Sequence, residues 1–141
     1  MLTEEPGGFT GVHETAGRRT TVAFRVPFRL RLREEDPVTG AVSTALFMLQ
    51  PEDGDSTRIY TRLLLSAGPG RPLPAPASVV QQMAEVHARL DDEIRLMAEI
   101  GSAGLPLDQR DELHVPADRL GLALRRALCD FTLAGRQTAA A

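Results

Sequence analysis

The stretch "TTVAFRVPFRLRLRE", residues 20–34, decides the fold. Val22, Phe24, Val26, Phe28, Leu30 and Leu32 alternate without a break with Ala23, Arg25, Pro27, Arg29, Arg31 and Arg33. A period of two is the signature of a strand with one face in a core and the other in water. A helix would set its apolar residues three and four apart instead. Pro27 offers no N–H to a ladder, so this strand is expected at a sheet edge or bulged at that residue. The four arginines Arg25, Arg29, Arg31 and Arg33 make its polar face basic, a solvated face that also discourages edge-to-edge pairing, or else a docking surface for an acidic partner.

Reading outward, "EDPVTG" (35–40) is a turn, "AVSTALFMLQ" (41–50) a second strand, "PEDGDS" (51–56) a second turn and "TRIYTRLLL" (57–65) a third strand. Short turns between alternating runs predict an antiparallel meander. "SAGPGRPLPAPA" (66–77) is too rich in proline and glycine for regular structure. Ser78 with Gln81 three residues on is a capping-box pattern, opening a helix from about Val79 to Ile100 with Gly101 as its stop. "SAGLPLDQRDELHV" (102–115) is expected as loop or a short strand. A last helix runs from about Pro116 to Ala134 and stops at Gly135, with Leu120, Leu124, Leu128 and Phe131 as its apolar stripe. The class is α+β: an antiparallel sheet packed on one long helix, with a second helix at the C-terminus. Residues 1–19, which carry four glycines, read as a flexible lead-in, 20–135 as the domain and 136–141 as a tail.

Bulk composition narrows the function. A chain of 141 residues is one domain by the usual length prior. A net charge of -3 argues against a nucleic-acid binder, and one Tyr, five Phe and no Trp offer no stacking platform for bases. The single Cys129 excludes a disulfide framework and fits a reducing compartment. No run approaches a membrane span and the N-terminus lacks signal-peptide order, so the expected location is cytoplasmic.

Three carboxylates, Asp91, Asp92 and Glu93, stand side by side in the first helix. At about 100° per residue, Val79, Met83, Val86, Leu90, Ile94 and Met97 form one stripe, expected to face the sheet. Asp92 points away from that stripe with Arg95 at ion-pair spacing, and Glu93 lies on one flank near Arg89. Asp91 lies on the other flank, with His87 one turn before it. A histidine and a carboxylate at that spacing can share a metal or a proton, and are also common as plain boundary residues.

"RVPFRLRLREEDPVTGAVSTALFMLQPEDGDSTRIYTRLLL" (25–65), then "LDDEIRLMAEI" (90–100), then "LPLDQRDELHVPADRLGLALRRAL" (105–128) resemble, in this order, the C-terminal catalytic domain of Rieske-type non-haem iron oxygenases, especially the vanillate O-demethylase-like branch. The resemblance implies a partial helix-grip (START-like) fold and makes Asp91 the carboxylate of a two-histidine, one-carboxylate iron site. The family's other two ligands come from a D-x-x-H-x-x-x-x-H segment, and no pair among His13, His87 and His114 has that spacing. A Rieske cluster needs two cysteines and two histidines, so this chain holds no Fe–S cluster. Mononuclear iron would need ligands from elsewhere, with His87 as a substitute beside Asp91.

Two functional readings stand. In the first, the chain is part of the catalytic domain of an aromatic ring-hydroxylating or O-demethylating oxygenase, inactive without its Rieske-bearing segment or partner chain. Asp91 is then an iron ligand, and Met83, Leu90 and Ile94 line a pocket for a small apolar or aromatic substrate. In the second, the same cavity belongs to a non-enzymatic module that binds a small hydrophobic ligand or a partner protein, and Asp91 is a boundary charge.

Overall fold

The computed structural model describes residues 1–15, 17–54, 56–100, 107 and 113–139. Six strands form a single antiparallel sheet in chain order: β1 (Leu2–Glu5), β2 (Gly8–Thr15), β3 (Arg18–Arg25), β4 (Arg29–Glu35), β5 (Val42–Pro51) and β6 (Thr57–Ser66). Helix α1 (Pro76–Ile100) follows the sheet, and α2 (Arg119–Ala139) closes the described chain behind a short 3-10 turn at Pro116–Asp118. The α+β class is as the alternation and helical periodicity predicted.

The run at residues 20–34 is a hairpin rather than one strand. The chain reverses at Pro27, whose preceding peptide bond is cis, and Arg25 pairs with Arg29, Phe24 with Leu30 and Val22 with Leu32. Directly paired residues point to the same face of a sheet. Here each pair has equal parity, so the even-numbered residues stay on one face through the reversal, and the alternation carries on as though no turn intervened.

Residues 2–15, expected within a loose lead-in, contribute β1 and β2 instead. Glu5 pairs with Gly8, leaving Pro6–Gly7 as a two-residue turn in which Gly7 takes φ +72°. That conformation suits glycine, and the proline before it fixes its neighbour. Gly8 and Gly11 are buried strand residues that make room for other groups. At the β4–β5 turn, Asp36 Oδ1 accepts N–H bonds from Val38 (2.8 Å) and Thr39 (3.2 Å), while Gly40 takes φ +68°.

Both helices lie on the same sheet face. Phe9 and Phe24, 2% and 1% exposed, stack with ring centroids 5.9 Å apart under Ala123 of α2. Leu2, Val22, Val26 and Leu30 from the sheet and Leu124, Ala127 and Leu128 from α2 complete this core. Burying two phenyl rings gives the largest single contribution here, of the order of 2–3 kcal/mol each by transfer alone. Arg126 of α2 reaches Glu4 of β1 at 2.7 Å, an exposed ion pair that positions the helix more than it stabilises it. The helix runs past Gly135 to Ala139, beyond the stop expected at that glycine.

Helix α1 begins at Pro76, three residues before the expected start. Ser78 lies inside the first turn, and the amides of Ser78 and Val79 both reach the Ala75 carbonyl, so proline at the first helical position opens the helix in place of the Ser78 box. This helix stands off the sheet, in contrast to α2, which packs directly on β1 and β2. The segment 101–112, expected as loop or short strand, lies outside the described residues except for Leu107.

Candidate functional site

The alternation that builds β3 to β6 sends Val22, Leu30, Leu32, Ala45, Phe47, Leu49 and Ile59 to the helix side, where they floor an apolar groove of about 290 Å³. Its roof is α1, through Val86, Arg89, Leu90 and Glu93. A second cleft of about 390 Å³ shares Val86 and Arg89 and continues along α1 past Gln82 and Glu85, above Leu63 and Leu65 of β6. The groove is apolar in its floor, with Arg89 and Glu93 beside Val86 and Leu90 in its roof, whereas the second cleft also meets Arg18, Glu34, Glu35 and Asp36. Val22 and Leu30 belong both to the groove and to the α2 core, so one apolar layer runs under both helices.

The placement of the expected site residues is uneven. Leu90 is partly buried and lines the groove. Met83 is partly buried on the same side of α1, whereas Ile94 is 51% exposed. Asp91 and His87 are both exposed and take no part in lining the groove. Taking the roof residues as the sheet-facing side of α1, Asp91 points roughly 150° away from it. Asp92 pairs with Arg95 at 3.7 Å, as their spacing suggested.

The roof thus sits some 45° round from the apolar stripe, by roughly the same helical arithmetic, which brings Arg89 and Glu93 inward. Sequence reasoning missed these two. A stripe defined by apolar residues alone is blind to long charged side chains whose stems cover apolar floor while their heads reach water. Arg89 makes no ion pair among the described residues. Glu93 stands one turn further along the same roof.

Among the described residues no helix lies on the opposite face of the sheet. Arg25, Arg29, Arg31 and Arg33 all lie on it; Arg25 pairs with Glu5 at 2.6 Å and Arg33 with Glu35. Arg29 and Arg31 make no ion pair among the described residues. Cys129 is a partly buried free thiol on α2. No helix among the described residues is long and apolar enough to cross a membrane.

The geometry defines a class: an α+β domain whose antiparallel sheet and long helix flank an apolar groove suited to a small ligand. The particular family follows from comparison, for the chain belongs to the vanillate O-demethylase oxygenase C-terminal domain family, whose model matches residues 6–134. No curated protein and no solved structure matches the chain. The family is the C-terminal domain of multi-domain Rieske-type oxygenases, which are iron-dependent systems.

Against that iron dependence, among the described residues no three His, Cys, Asp or Glu side chains come together in a group that could hold a metal ion. Asp91 and His87 together offer one carboxylate and one imidazole, where an open catalytic site usually keeps three protein ligands. The residues described do not fit a complete iron centre.

Proposed function

We propose that this chain is the substrate-holding part of the catalytic domain of a Rieske-type oxygenase that hydroxylates or O-demethylates a small aromatic or similar apolar compound. The observation that carries this reading is the apolar groove beneath α1, in a chain matched by the family model over residues 6–134. Phe47, Leu32, Leu49 and Leu90 exclude water from a flat apolar ligand, and Arg89, without an ion-pair partner among the described residues, offers a fork for a ligand carboxylate. Vanillate has that chemistry. The chain is inactive alone, works in the cytoplasm and depends on a Rieske-bearing segment or partner chain. Asp91, with His87 as the neighbouring donor, contributes to an iron centre only when further ligands come from that other segment.

The exposure of Asp91 away from the groove favours a second reading: a ligand-binding module in which Asp91 is a boundary charge. Asp91→Ala separates the two. Elemental analysis of the chain co-purified with its Rieske-bearing partner should show iron lost in the variant under the first reading. Unchanged iron content, with groove binding intact, would leave only the second.

A further inference from the structure

The two edges of the sheet are unlike. Sheets keep their edges from pairing by making them short, bulged, charged or interrupted by proline. At one edge β1 follows that rule, with four residues, two of them Glu4 and Glu5, and Pro6 directly after. At the other, β6 is ten residues long and contains neither proline nor glycine. Its pairing with β5 runs unbroken from Val42↔Ser66 to Pro51↔Thr57, so no bulge twists it away. No backbone hydrogen bond joins residues 57–66 to anything beyond the sheet among the described residues. Among the described residues nothing covers the outward N–H and C=O groups of β6, and both faces beside them are well stocked. Ile59, Thr61, Leu63 and Leu65 lie on the helix side, with Arg58, Tyr60, Arg62 and Leu64 on the other. Ile59, Tyr60 and Leu64 are 37%, 46% and 45% exposed.

We propose that β6 is a self-complementary docking edge, pairing antiparallel with β6 of a second copy about a two-fold axis at Thr61. The register selects this partner. A two-fold axis normal to the sheet keeps each face on its own side, so paired residues must share parity and the axis must pass through a residue. An axis through Arg62 sets that arginine against itself, and one through Tyr60 sets Arg58 against Arg62 twice. Like charges directly opposite destabilise a ladder. Axes through Ile59 or Leu64 pair only five residues of each strand (57–61 or 62–66), and one through Leu63 runs off the strand, setting Arg58 against Gly68. With the axis through Thr61, Thr61 meets Thr61, Ile59 meets Leu63 twice on the helix side, and Tyr60 meets Arg62 twice on the free face. The last pairing is a cation over an aromatic ring, favourable at exposed sites. β6 has no acidic residue of its own, so in this register the partner's tyrosine faces its second arginine. Ile59 also floors the groove, and pairing would extend that apolar floor through the partner's Leu63. The pairing does not depend on what the groove holds.

The test is mass in solution over a dilution series of the full chain, by light scattering behind gel filtration. The wild type should run at twice 15.3 kDa when concentrated and dissociate on dilution. Tyr60→Arg, on the exposed face, should give a folded monomer throughout by circular dichroism. Tyr60→Glu, which meets Arg62 with opposite charge, should keep the dimer and make it salt-sensitive. In a Cys129→Ser background, Thr61→Cys should oxidise to a covalent dimer while Arg62→Cys should not. A wild-type mass of 15.3 kDa at every concentration overturns the proposal. So does a dimer indifferent to Tyr60→Arg, or one that crosslinks through Arg62→Cys but not Thr61→Cys.

Discussion

Gly11 stands where α2 crosses β2, and a Cβ built there would lie 2.6 Å from Leu120 Cδ2. Leu120 is 38% exposed and its Cδ2 can swing clear, so Gly11→Ala should change the stability measured by urea unfolding by less than about 1 kcal/mol. Gly8→Ala, whose Cβ would lie 2.1 Å from the Phe24 carbonyl oxygen, should lower it by about 1–3 kcal/mol with the denaturant slope unchanged. Phe24→Ala empties the centre of the core beside Phe9 and should cost about 3–5 kcal/mol in the same measurement. Asp36 contributes a pH dependence at low pH. Its hydrogen bonds with Thr39, first through the side chain and then through the backbone, together with the Val38 amide, hold its carboxyl below the ordinary aspartate range, with Arg18 adding a smaller attraction. A carboxyl lowered on folding contributes stability above its unfolded pKa, and that contribution is lost as pH falls through the folded pKa. The carboxyl carbon of Asp36, followed by NMR through an acid titration, should change below the ordinary aspartate range, and Asp36→Asn should flatten that part of the stability profile. A midpoint at or above the ordinary range would contradict the turn geometry.

Helix α1 and the β3–β4 hairpin show what the sequence made legible and what it hid. Alternation assigned the residues of β3 and β4 to the right faces yet hid the reversal between them, because their pairing conserves parity. The N-terminal residues hide their strands for a related reason. Gly8 and Gly11 look like disorder by composition, while in the fold they leave space for the Phe24 carbonyl and for Leu120, and the Pro6–Gly7 pair within "EPGG" is the turn between two strands. For α1 the apolar stripe found Val86 and Leu90, but the roof is completed by Arg89 and Glu93, which no count of apolar residues selects. Flank position and family likeness single out Asp91; the fold leaves it exposed, and the iron-content experiment tests its role. Since α1 stands off the sheet while α2 is packed, the two helices should differ in protection. Native-state hydrogen exchange should find α1 amides opening at much lower free energy than those of β2, β3 and the middle of α2. Equal protection in the two helices would contradict that difference in packing.

The whole molecule divides into a packed half, where α2 closes over β1 to β3, and an open half, where α1 spans β3 to β6 above a groove. The first half holds the packed core, and the second holds the groove to which the proposed function assigns ligand binding. The central claim is that the groove beneath α1 takes a small aromatic acid. It is tested most directly by titrating vanillate into the isotopically labelled chain and following amide and methyl shifts. The prediction is saturable shifts gathered at Leu32, Phe47, Leu49, Val86, Arg89 and Leu90, weakened at least tenfold by Arg89→Ala. Shifts confined to the helix-free face, or none at saturating ligand, would contradict it.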